Sequence, residues 1–357
     1  MNYSDREVDI IVADGFNELG YKQKKLFLAS VKADNAEREK FAAALIKTAG
    51  EGVYNKLKEK FFDDARRKIV LEKLSKRNVV CVTVKSENYP YKLAQTPVPP
   101  LVLYLRGNQT LLSRRMFGVV GSRKTSPQIM EECKRLCEQL SEHVAVVTGV
   151  ADGGDSAAAR GAMKNGRAVC VLPGGHDSNS APNPKLLKRV EENGLSVSEY
   201  PPETPIPKHL FGMRNRIIAG LADGVLVVSA GEKSGALSTA AYAADYSRDV
   251  FAFPYSIGAE LGRGCNKLIK NGAGLCESAD DILSSLGIKV ESKRSDILLD
   301  EGEKAVLDAL RAEGEMHAEA LAQKLGLKLT DLLTTCSLLE IKGMVIRVGG
   351  NAFAALQ

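Results

Sequence analysis

Across 357 residues no apolar run approaches the roughly 20 residues that a membrane-spanning helix requires, and the polar start Met1-Asn-Tyr-Ser-Asp-Arg-Glu7 carries no signal-peptide core. Both absences lead us to expect a folded, soluble, cytoplasmic protein. The seven cysteines, at 81, 133, 137, 170, 265, 276 and 336, include no Cys-x-x-Cys pair, which argues against a disulfide framework or a zinc knuckle. Cys133 and Cys137 share a helix face at i, i+4, but two thiols without a third or fourth ligand make a poor metal site. The Gly-x-x-x-x-Gly-Lys-Ser/Thr loop is missing, and so is Gly-x-Gly-x-x-Gly after the first core strand. Neither ATP hydrolysis nor nicotinamide chemistry is therefore indicated, and no cofactor is expected.

What the chain does contain is 44% hydrophobic residues, ample for the cores of two or three domains. Its formal charge of +5 is unevenly spread, at +5 over residues 1–100, +3 over 101–290 and −3 over 291–357. Residues 1–77 place apolar side chains at helical spacing, as in Phe41, Leu45 and Ile46 or Leu57, Phe61 and Phe62, and predict a small helical bundle. Residues 78–107 change pattern: Val79–Val84 and Pro99–Leu105 read as strands around the turn Asn88-Tyr-Pro90, an entry segment to the next domain.

From there short apolar strands alternate with helices, at 117–120, 144–147, 168–172, 195–198, 224–228, 250–253 and 274–276. That alternation predicts an α/β domain over 78–290 with a doubly wound parallel sheet, its strands continuously apolar because helices cover both faces. The polar stretch Glu291–Asp296 has linker composition, and 297–357 offers three helical segments and a hairpin around Gly349-Gly-Asn351, the pattern of a winged helix. The third of those helices, 330–342, carries two acids and no base before Lys342. Duplex DNA repels such a helix, so it is expected to bind protein or to cover the sheet domain.

The candidate site lies where strands end. Gly121-Ser-Arg-Lys124, Thr148-Gly149 and Lys233-Ser-Gly235 each follow a strand, and Phe211-Gly-Met-Arg-Asn-Arg216 opens an apolar helix. In a parallel sheet such junctions share one edge, where each following helix aims free N–H groups and a partial positive charge. A long phosphate-lined crevice follows. Its expected members are Gly121, Ser122, Arg123, Lys124, Thr148, Gly149, Phe211, Arg214, Asn215, Arg216, Lys233, Ser234, Gly235 and Ser238, with Lys185 beside them. Guanidinium forks suit phosphate, the N–H groups of 121–123 and 234–236 would complete the cradle, and Phe211 either stacks a base or packs the helix entrance. Arg214 and Arg216 cannot share a helix face, so one of them reaches a ligand while the other braces the loop, with Glu199 as its partner. Asp155 is read as the N-cap of the helix that follows, in preference to an acid–base role with Asp152. His176, past a strand end, has no visible nucleophile or metal beside it.

In order, Gly121-Ser-Arg123, Thr148-Gly-Val-Ala-Asp-Gly-Gly-Asp155, Val171-Leu-Pro-Gly-Gly-His-Asp177, Ser198-Glu-Tyr-Pro-Pro202, Arg214-Asn-Arg-Ile-Ile-Ala-Gly220 and Ser234-Gly-Ala-Leu-Ser-Thr239 resemble the motif series of the DNA-processing protein A (DprA/Smf) family. The resemblance spans 78–288. It implies an extended Rossmann-like domain between a helical sterile-alpha-motif-like domain and a winged-helix tail. It also implies a non-catalytic binder of single-stranded DNA, dimeric, that protects strands and loads the RecA recombinase in natural transformation and recombination; Leu268 and Ile269 are candidate dimer contacts. The chain departs from the family pattern at Asp152 and Gly154, where arginine and isoleucine are usual. It departs again at Ala181-Pro182 (Tyr-Pro), Phe211-Gly212 (Phe-Pro), Ser229 (glutamate) and Tyr255 (glycine).

Two other classes compete. Related sheet proteins with a Pro-Gly-Gly loop cleave nucleoside monophosphates, and Pro173-Gly-Gly175 invites that comparison; the motif here continues His-Asp-Ser, without the expected glycine, threonine and glutamate. An adaptor with a vestigial crevice and a partner-recruiting acidic tail is the third reading.

Overall fold

A computed structural model describes residues 3–32, 35–178, 182–289, 299–342, 344–348 and 351–355. The chain forms two compact units, residues 1–289 and 290–357. Five helices open the first: α1 (Asp5–Asp14), α2 (Tyr21–Lys32), α3 (Asn35–Ala49), α4 (Glu51–Phe62) and α5 (Asp64–Lys76). Ser4 and Glu7 close a capping box on α1, satisfying N–H groups that would otherwise be orphaned. The bundle has its own core, in which Phe27 meets Phe16 and Phe61 edge to face. A second apolar contact joins Ile10, Ile11 and Leu74 to Cys81, Val102 and Tyr104 of the sheet. Buried Asp14 seals it, accepting from the Tyr104 hydroxyl at 2.9 Å and pairing with Lys24 at 3.0 Å.

The sheet begins with β1 (Val80–Thr83), the one-turn α6 (Tyr91–Ala94) and β2 (Val102–Gly107). Then come β3 (Met116–Gly121), α7 (Pro127–Leu140), β4 (Ala145–Thr148), α8 (Gly154–Ala162), β5 (Ala168–Val171), α9 (Pro184–Asn193) and β6 (Leu195–Ser198). Its second half is α10 (Leu210–Leu221), β7 (Gly224–Ser229), α11 (Ala236–Asp245), β8 (Asp249–Ala252), α12 (Arg263–Lys270), β9 (Gly274–Leu275) and α13 (Ala279–Ser285). The nine strands lie in the order β1-β2-β6-β5-β4-β3-β7-β8-β9. From β6 to β9 all are parallel, while β2 pairs antiparallel with both β6 and β1. The expected entry segment is thus two antiparallel edge strands of the sheet itself. Local pattern could not reveal this, because an apolar run of strand length is silent about its partner.

Alternation along β3 sends Phe117 and Val119 to the face under α7, α8 and α13, and Met116 and Val120 to the face under α10 and α11. Both faces are buried, which explains the unbroken apolar strands. After β3 the chain moves outward through β4, β5 and β6, then returns to the other side of β3 with β7. That reversal leaves a crevice outside the carboxyl ends of β3 and β7, where ligands bind in open α/β sheets.

The second unit holds α14 (Glu301–Glu313), β10 (Met316–His317), α15 (Ala318–Leu325), α16 (Leu329–Ile341), β11 (Val345–Val348) and β12 (Ala352–Ala355). Three helices and a sheet ordered β10-β12-β11 enclose a core of Leu310, Leu321, Leu332 and Phe353, a winged-helix arrangement. The expected linker at 291–296 and the Gly349-Gly350 turn lie outside the described residues.

Candidate functional site

At the reversal point a cavity of about 560 Å³ is walled by the β3–α7 loop, the start of α10 and the β7–α11 loop. Gly121, Ser122, Arg123, Lys124, Phe211, Arg214, Asn215, Lys233, Ser234, Gly235 and Ser238 line it. Thr148, Gly149, Lys185 and Arg216, also expected there, do not.

Its floor is a buried ion pair. Arg214 Nη2 lies 3.6 Å from Asp155 Oδ2, Nη1 donates to the Val171 carbonyl at 2.6 Å, and Nε donates to Asn215 Oδ1 at 3.1 Å. Asp155 Oδ1 accepts the Gly121 N–H at 3.2 Å. Burial pushes the Asp155 carboxyl above its ordinary range, and Arg214 and the Gly121 N–H oppose that. Asp155 is therefore not the helix cap foreseen from sequence. Gly153, at φ 83°, takes that position, and Asp155, two residues on, reaches across to β3. Gly149 serves the same pair: a side chain there would collide with the Asp155 carboxylate and the Arg214 guanidinium. Thr148 is fully buried at the end of β4, its hydroxyl without a partner.

Arg216 stands about 200° around α10 from Arg214 and turns away from the crevice. Its Nη1 donates to the Val98 carbonyl at 2.6 Å and its Nη2 pairs with part-buried Glu199, so it braces the sheet edge. The phosphate role expected of it is corrected accordingly. Lys185 is exposed at the start of α9, outside the cavity wall.

The backbone cradle is also smaller than expected. The Gly121 N–H goes to Asp155, Ser122 N–H to the Ser229 carbonyl at 2.8 Å, Ser234 N–H to the Gly231 carbonyl at 3.1 Å, and Ala236 N–H to Ser234 Oγ at 3.3 Å. Asn215 Nδ2 bridges α10 to α11 through the Gly235 carbonyl at 3.1 Å and Ser238 Oγ at 2.9 Å. The rim carries the free charge: Arg123, Lys124 and Lys233 are exposed and have no carboxylate partner among the described residues. The Arg123 guanidinium sits 4.7 Å from the centre of the half-buried Phe211 ring, a cation–π contact at the rim.

The loops farther along the edge are closed. Gly174 and Gly175 pack under residues 201–206, and a side chain on Gly175 would fall on the Pro201 and Pro202 carbonyl oxygens. His176 beneath them is buried, its ring nitrogens without a hydrogen-bonding partner; burial first and Arg106 second push it down to about 3, against a small opposing influence of the Ser196 backbone. Asp152 accepts from Asn183 Nδ2 at 3.0 Å and does not line the cavity. Tyr255 donates its hydroxyl to the Val228 carbonyl at 2.7 Å and packs on Gly262, where no side chain has room; Ala181 lies outside the described residues. All seven cysteines are free and buried, and among the described residues no group of His, Cys, Asp or Glu is arranged to hold a metal. Leu268 and Ile269 pack half-buried against the sheet core. No described helix is long and apolar enough to cross a membrane.

Sequence reasoning missed Asp155 as the crevice floor. The available signal was an acid in the first turn of a helix that otherwise opens on small side chains.

Fold and crevice together define a Rossmann-like α/β protein with a cationic, aromatic rim and a buried ionic floor. A family model described as DNA recombination-mediator protein A matches residues 80–287, and one described as DprA winged helix domain matches 290–351. The DNA processing protein DprA of Bacillus subtilis is 34% identical over 263 residues, 72% of this chain and 85% of the relative. That of Streptococcus pneumoniae is 38% identical over 208 residues, 57% of this chain and 72% of the relative. The X-ray structure of the Streptococcus pneumoniae protein superposes with a TM-score of 0.65 at 31% identity, covering 80% of this chain and 98% of that one. A structure of DNA processing protein A from Helicobacter pylori, described for its single-stranded DNA binding mode, gives 0.53 at 26% identity over 58% of this chain and 95% of that one. The chain belongs to the DNA recombination-mediator protein A family, the DprA/Smf DNA-processing proteins.

Proposed function

We propose that the protein binds single-stranded DNA in the crevice at the β3–β7 reversal, shields the strand, and as a cytoplasmic homodimer loads the RecA recombinase during recombination, natural transformation included. One observation carries the reading: Arg123, Lys124 and Lys233, free of carboxylate partners among the described residues, converge with the Phe211 ring on one open cavity. Unpaired bases have exposed faces that stack on an aromatic or guanidinium plane, whereas duplex bases do not. The Helicobacter pylori relative, described as binding single-stranded DNA, supports the same ligand. Arg214 holds the floor through its pair with Asp155, and the three rim cations meet the phosphates.

The test is fluorescence anisotropy with an oligo-dT strand and a matched duplex at two salt concentrations. The strand should bind more tightly, with a logarithmic salt slope of about −0.7 per phosphate neutralised. Arg123→Ala with Lys233→Ala should weaken the strand and flatten the slope. Equal affinity for strand and duplex, or no salt dependence, refutes the reading. Loading is read separately, as RecA filament formation on strands coated by a single-strand-binding protein. The nucleotide-cleaving alternative meets a Pro173–Gly175 loop filled by residues 201–206, and release of free base from AMP or CMP would restore it. Absence of strand binding, together with capture of a protein partner by the acidic tail, would favour the adaptor.

A further inference from the structure

A second cavity, of about 380 Å³, opens between α5 and the chain that follows β6. Val70, Lys73, Leu74 and Arg77 form one wall and Pro201–Pro205 the other. The latter wall follows the carboxyl end of β6, on the sheet edge the crevice uses. It runs on through exposed Lys208 and His209 to Phe211, so a single segment borders both cavities. Strands β6 and β3 are three positions apart in the sheet, about 14 Å at about 4.8 Å per step. A few nucleotides span that distance.

The stretch that runs from within α4 to the end of α5 is rich in lysine and arginine. Residues 56–77 hold nine Lys and Arg against four Asp and Glu, an excess equal to the whole +5 of the protein. Arg67 is committed to Asp9, and Arg77 to Asp177 and Glu203. Lys68, Lys73 and Lys76 are exposed, with no carboxylate partner among the described residues, although Glu72 lies in the same row. Exposed Ile69, at 50%, adds apolar surface to α5, and Phe62, at 54%, adds more at the end of α4. A largely apolar pocket with the free Lys73 ammonium on its wall, and Lys76 three residues on along α5, suits a planar base whose phosphates remain in solvent.

We propose that this pocket is a second contact for the strand held in the crevice: an unpaired base packs against Val70 and the prolines, while Lys73 and Lys76 follow the phosphates. The inference rests on the crevice reading and extends it to a track across the β6–β3 edge. A strand of about 6 nucleotides fills the crevice alone, and one of about 20 covers both contacts. Removing Lys73 and Lys76 in Lys73→Ala/Lys76→Ala should leave short-strand binding unchanged. For the long strand it should reduce the salt slope by about 1.4, at about 0.7 per contact. Lys267→Ala/Lys270→Ala removes the same charge from α12 and should leave both lengths unaffected. An unchanged long-strand slope in Lys73→Ala/Lys76→Ala overturns the track, as does an equal effect from the α12 pair. If Arg123→Ala/Lys233→Ala alone weakens both lengths, the crevice reading stands without its extension; if that variant also binds like the parent, the crevice reading itself fails.

Discussion

Arg214→Ala separates a floor residue from a ligand residue. The residue is 4% exposed and gives Asp155 its counter-charge, so the substitution strands a buried carboxylate with only backbone N–H groups, those of Gly121 and Ala151, and leaves the Val171 carbonyl without its donor. Breaking one side of a buried pair costs about 3–5 kcal/mol, most of it the desolvation of the surviving charge. The protein has no tryptophan and all ten tyrosines lie at or before Tyr255, so tyrosine fluorescence during urea unfolding reports the 1–289 unit without interference from the tail. Adding Asp155→Asn should recover at least about 1 kcal/mol, as expected for directly coupled neighbours. The pH dependence has a definite sign. Burial already raises the Asp155 carboxyl above 3.8, and loss of Arg214 raises it further. A raised carboxyl costs stability once pH exceeds its unfolded value, so the deficit of Arg214→Ala should be largest at neutral pH and shrink as pH falls toward 3.8. By contrast Arg123→Ala, at an exposed position, should change stability by no more than about 0.5 kcal/mol. Parent-like unfolding of Arg214→Ala would refute the buried-pair account.

Arg216→Ala removes the partner of part-buried Glu199 and the donor to Val98, so it should also destabilise the unit, by about 2–4 kcal/mol and less than Arg214→Ala; strand affinity of the fraction still folded should be retained, which anisotropy on folded protein checks. Gly175→Ala drives a methyl into two proline carbonyls and should lower the melting temperature far more than Gly212→Ala, whose added methyl has open space. His176 is held neutral by burial, with its proton affinity lowered from 6.5 to about 3. The unfolded chain therefore takes up the proton first, and the stability difference between parent and His176→Phe should move in favour of the variant as pH drops from 6.5 toward 3, measured by urea unfolding across that range.

The strands were legible because each is a short apolar run bounded by turn residues, and predicted and observed limits agree within about two residues over most of the sheet. The crevice was legible for a related reason: in a parallel sheet the glycines, serines and cations that follow strands must gather on one edge. Arg123, Lys124, Phe211 and Lys233 could thus be assembled from a linear chain. Even the acidic character of α16 is a property of composition.

Which arginine of the 214/216 pair faces the crevice was not decided by local pattern, because helix geometry says only that they diverge. Tertiary structure decided it by bringing Asp155 to one side of α10 and Glu199 to the other. It likewise diverted the Gly121 N–H to a carboxylate 34 residues away, closed the Pro173–Gly175 loop with residues 201–206, and made residues 78–107 the antiparallel edge of the sheet. Each outcome depends on groups distant in sequence competing for one hydrogen-bond donor, one charge or one sheet edge. Secondary structure and strand-end chemistry follow from neighbours along the chain, whereas buried pairing depends on which partners the completed fold places within reach.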